Sequence, residues 1–83
     1  MEEAGKALLR KDLTARIKDA NTRLHDVQTN VLLASTAVEL WTELNETEEL
    51  GAATVAHFTA QLEQQKLGES IARLERGIEF LHR

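Results

Sequence analysis

The sequence predicts an all-α fold, a long antiparallel helical hairpin, and three observations carry that prediction. Apolar residues recur at helical spacing along most of the chain. Proline is absent and only four glycines occur, so little interrupts a helix and turn-rich β architectures are excluded. Turn and capping residues cluster near the middle of the 83 residues, where one reversal would bring two helices together.

The first element is the most regular. From Leu13 the apolar positions run Leu13, Ile17, Ala20, Leu24, Val27, Val31, Ala34, Val38 and Trp41, alternating steps of 4 and 3 over four heptads. That is the rhythm of a coiled-coil seam. Neither Gly nor Pro falls between Lys6 and Leu50, so one helix is expected from about residue 4 to about residue 45. The pair Asn21-Thr22 offers a cap for a new helix. A break there would give the alternative architecture, a monomeric three-helix bundle.

The turn is expected at about 46–51. Asn45 followed by Glu48 fits a capping box, Thr47 is another N-cap candidate, and Gly51 is a candidate stop. Carboxylates at Glu46, Glu48 and Glu49 suit the positive N-terminal end of a second helix. That helix is expected from about 52 to 82. In it Leu67, Ile71, Leu74, Ile78 and Leu81 keep the seam rhythm, whereas Val55, Phe58 and Leu62 lie off that line. With Gly68 at the switch, a kink near 66–69 is one expectation; different faces turned to different neighbours is the other.

Folding at about residue 48 sets Val38 against Phe58, Leu24 against Ile71 or Leu74, Ile17 against Ile78, and His57 against Glu39. A second apolar stripe, Leu33, Ala37, Leu40 and Leu44, runs beside the first seam. One antiparallel neighbour cannot cover both stripes. The hairpin is therefore expected to assemble into a four-helix-type bundle, as a homo-oligomer or with a helical protein partner. The expected interface comprises Val31, Leu33, Leu40, Trp41, Leu44, Val55, Phe58 and Leu62.

Charge is segregated along the chain. No Lys or Arg occurs between Arg23 and Lys66, a stretch that holds seven acids; all ten basic residues lie in 1–23 and 66–83 against the other seven acids. A hairpin would then be a rod with an acidic tip and a mildly basic tail. The net charge of −4 disfavours general attraction to nucleic acid. Basic residues such as Arg16 and Arg73 are interleaved with acids and lack an aromatic stacking platform. A nucleic-acid-binding bundle using this basic terminal end is nevertheless one alternative function. The longest apolar run, Val31-Leu32-Leu33-Ala34, is far short of the roughly 20 residues of a membrane span. Glu2 and Glu3 stand where a signal peptide would be basic. No membrane association and a cytoplasmic location are the expectations.

Enzymatic apparatus is sparse. The sequence holds no cysteine, no Gly-rich phosphate loop, and no Gly-x-Ser-x-Gly elbow around Ser35 or Ser70. Neither catalytic residues nor a cofactor are expected. Glu79 and His82 form a Glu-x-x-His step of the kind that, doubled across a bundle, builds di-metal sites. This makes a dimeric metal-binding bundle the other alternative. The leading expectation is a non-enzymatic protein–protein interaction module: an adaptor, a chaperone-like subunit or a small inhibitor.

Overall fold

The computed structural model describes residues 2–83; Met1 lies outside the described residues. Two helices make up the architecture, α1 over Glu3–Glu43 and α2 over Thr47–Leu81. Forty-one residues at 1.5 Å each give about 62 Å, and the molecule measures 63 × 14 × 14 Å. It is a two-helix rod folded back once, the antiparallel hairpin that the apolar spacing predicts.

α1 passes through Asn21-Thr22 without a break, which removes the three-helix alternative. Thr22 does not cap a new helix. Its hydroxyl donates to the Lys18 carbonyl at 3.1 Å, one turn back. Thr14, Thr29, Thr36, Thr42 and Thr54 make the same backward bond. A β-branched hydroxyl residue is thereby accommodated inside a long helix.

The turn comes earlier and is tighter than the expected 46–51, because Asn45 acts at the end of α1 instead of the start of α2. Asn45 adopts a left-handed φ of 56°. The Glu46 amide donates to the Trp41 carbonyl at 3.1 Å, and the Asn45 amide to Thr42 at 3.2 Å. This pair of bonds is a Schellman closure, which needs a residue tolerant of the left-handed region; after Gly, Asn is the usual choice. The Asn45–Glu48 capping box therefore does not form, and Glu46 at the N-cap of α2 makes no side-chain cap bond. Glu48 and Glu49 still occupy its first turn, where their charge suits the helix dipole. Gly51 lies within α2 and ends nothing.

The earlier turn changes the register. Counted outward from it, α2 presents Leu50, Ala53, His57, Ala60, Gln64, Leu67, Ile71, Leu74, Ile78 and Leu81 to α1, every one sheltered from full exposure. The seam is thus continuous in steps of 3 and 4, and α2 runs unbroken through Gly68. Trp41 stands level with Leu50, Val38 with Ala53, Ala34 with His57, Leu24 with Leu67 and Ile17 with Leu74. These pairings replace the expected Val38–Phe58, Leu24–Ile71 or Leu74, Ile17–Ile78 and Glu39–His57. Two contacts at the open end fix the register. Arg10 Nη1 donates to the Leu81 carbonyl at 3.2 Å, and Leu13 reaches Gly77, where an added Cβ would meet it at 3.4 Å. Arg10 also places a cation at the C-terminus of α2, whose own last turn has no basic residue.

The core is thin. Among the described residues only Val27, Ala53 and Ile71 are buried, at 5%, 9% and 8% exposure, and no large side chain is fully buried. Each helix has one neighbour, so most seam residues keep an edge in water. No helix among the described residues is long and apolar enough to cross a membrane.

Candidate interaction surfaces

The eight expected interface residues fall into three groups. Val31 and Trp41 belong to the seam and are half-buried inside the hairpin. Leu33, Leu40 and Leu44 are exposed on α1, at 63%, 47% and 55%. Val55, Phe58 and Leu62 are exposed on α2, where Phe58 reaches 62%.

Heptad geometry places the exposed groups on different faces. Leu13, Arg16, Ser70, Arg73 and Leu74 line one shallow recess, so Arg16 of α1 and Ser70 and Arg73 of α2 mark one flank of the hairpin. Residues seven apart along a seam share a flank. Steps of seven from Arg16 reach Ala37 and Leu44, and Leu33 and Leu40 lie one turn from these on the same side. The same steps from Ser70 reach Glu63, Ala56 and Glu49, and from Arg73 they reach Thr59 and Ala52. This flank of the turn half thus combines a leucine ridge on α1 with small side chains on α2. Val55, Phe58 and Leu62 lie beyond the opposite edge of the α2 seam, on the outer side of that helix. Leu32, 67% exposed, shares their side of the molecule. The structure brings each group of three together but does not join the two groups into one patch.

Sequence reasoning passed over several residues. Leu32, Leu8, Leu9 and Phe80 are all exposed large apolar side chains. The signal for them was their place off the seam, which the period shows once the seam is fixed. His57 and Gln64 were also missed as seam residues, because a search for apolar periodicity skips polar positions.

The charged surface is largely solvated. Arg16 Nε donates to the Asp12 carboxylate at 2.9 Å, one helical turn back. Arg73 donates to Ser70 Oγ at 3.2 Å and Glu69, four residues back, accepts from Gln65 at 3.4 Å. Glu79 is exposed and His82 sits at the C-cap of α2. Among the described residues no three His, Cys, Asp or Glu side chains are grouped to hold a metal ion. Comparison with known protein families, curated proteins and solved structures finds no match, so the role of these surfaces is argued from their geometry.

Proposed function

We propose that this protein is a non-enzymatic interaction module that completes a helical bundle, with further copies of itself or with a partner helix. One observation carries the reading: among the described residues ten large apolar side chains are exposed while only three apolar residues are buried. Seven of the ten, Leu32, Leu33, Leu40, Leu44, Val55, Phe58 and Leu62, occupy the turn half. Small domains seldom stand on so thin a core without a staple or a neighbour. Apolar clusters of this kind on a soluble surface mark contact sites. Added helices would bury them as a four-helix bundle buries its seams. An adaptor, a chaperone-like subunit and a small inhibitor all use this mode of contact, in which helix faces supply affinity and rim charges set orientation.

Solution mass over a wide concentration range, measured with thermal melting, tests the reading. A self-associated chain supports it, as does a monomer that melts without cooperativity. In a self-associated chain, Leu40→Asp or Phe58→Asp lowers the mass while helical circular dichroism persists. A monomer that melts cooperatively and binds no added amphipathic helix overturns the proposal.

A further inference from the structure

We infer that the flank carrying Leu33, Ala37, Leu40 and Leu44 receives a cationic amphipathic helix from another protein. The inference rests on the bundle-completing reading above and names the occupant of one of its two exposed stripes. Leu33 to Leu44 covers eleven helical steps, about 17 Å or three turns, the length over which a docked helix presents four anchors. Beside this ridge α2 offers Ala52 and Ala56, both exposed and small. A helix can therefore lie in the step between a leucine ridge and a low floor, as ridges lie in grooves.

Charge selects what that helix must be. The same steps of seven that place Ala56 on this flank place Glu49 and Glu63 there, and Asp26 and Glu43 border the ridge. No Lys or Arg lies between Arg23 and Lys66 to offset them. A second copy is a poor occupant in either direction. Pairing two turn halves through this flank sets one acidic rim against another, and like charges across an interface oppose association. Sliding the copy until its basic half covers the rim loses the apolar match: between 12 and 23 the equivalent positions of α1 are Asp12, Arg16, Asp19 and Arg23. No segment of this chain combines a long apolar stripe with basic borders. The complementary surface is a helix with apolar residues at i, i+4, i+7 and i+11, flanked by Lys and Arg.

Trp41, the only tryptophan, lies on the seam next to Ala37 and Leu44 and serves as the reporter. The full chain is titrated with a tryptophan-free Leu/Lys amphipathic peptide of about five turns, and with a Leu/Glu peptide of the same apolar pattern. Expected are saturable binding of the Leu/Lys peptide, at least tenfold weaker binding of the Leu/Glu peptide, and weakening as salt is raised. Leu40→Asn weakens binding at least tenfold, whereas Phe58→Asn, on the other face, leaves it within twofold. Both positions are exposed, and unchanged far-ultraviolet dichroism confirms that each variant folds. Equal binding of the two peptides overturns the inference, as does sensitivity to Phe58→Asn with indifference to Leu40→Asn. A native dimer that Leu40→Asn dissociates puts a second copy on this flank; the bundle reading then stands and the inference falls. A cooperative monomer that binds neither peptide removes both.

Discussion

The two halves of the rod are built on opposite plans. In the open half Leu67, Ile71, Leu74, Ile78 and Leu81 face Leu24, Ala20, Ile17, Leu13 and Arg10, and the outside is mostly charged, with Leu8, Leu9 and Phe80 exposed toward the open end. In the turn half α2 turns Ala53, His57, Ala60 and Gln64 inward and carries Val55, Phe58 and Leu62 outward. The same heptad path serves both. Small and polar side chains can hold the path where the helices are tied by a short turn, while large ones are needed where the chain ends must be kept together. The large apolar residues released from the inside of the turn half are those assigned above to contact with other helices.

Substitutions in the two seams test this contrast. The largest expected effect is Ile71→Ala, which removes a side chain only 8% exposed and should cost about 2–5 kcal/mol, seen as a fall in the urea midpoint. So thin a core would leave the variant partly unfolded at room temperature. A loss below ~1 kcal/mol would mean that the open half does not supply the burial assigned to it. Next, Gln64→Leu should stabilise by roughly 1 kcal/mol, because it replaces a polar seam residue with an apolar one of similar size. A loss of stability there would show that the side chain makes a needed polar contact, and the contrast between the halves would weaken. The smallest effect is Gly68→Ala. No neighbour lies within 4 Å of the position of its added methyl group, and Ala in a helix interior gains about 0.5–1 kcal/mol over Gly. A fall in the melting temperature would instead mean that α2 bends at Gly68 in solution.

Most of the fold was legible because α1 writes its seam in apolar letters from Leu13 to Trp41, and the open half of α2 does the same from Leu67 to Leu81. The turn was misplaced for a specific reason: Asn is favoured both before a helix and, with positive φ, just after one. The sequence around Asn45 supports either use, and only the bonds to Trp41 and Thr42 decide between them. The candidate surface suffered from the same displacement. A turn a few residues later puts Phe58 opposite Val38; the observed turn puts Ala53 there and sends Phe58 outside. With the register corrected, the leucines of α1 and the group around Phe58 separate on to two faces. No local feature of either stripe announces that separation, since a flank is defined only when the neighbouring helix is in place.

The bond from Arg10 to the Leu81 carbonyl joins residues 71 positions apart, and on α2 the run of large seam residues from Leu67 to Leu81 lies toward that same end. In a hairpin that closes outward from its turn, the segment where α2 offers Ala53, His57, Ala60 and Gln64 closes before the segment where it offers Leu67 to Leu81. Ordering of the intervening chain precedes the contacts that reward it, which places the barrier late and slows folding relative to other helical proteins of this length. Once folded, opening of the segment behind the turn uncovers Val27 and Ala53 but few large α2 side chains, while the far end stays clasped. Amide protons of residues 50–64 should therefore exchange through local opening, and those around Ile71 only when the whole rod comes apart.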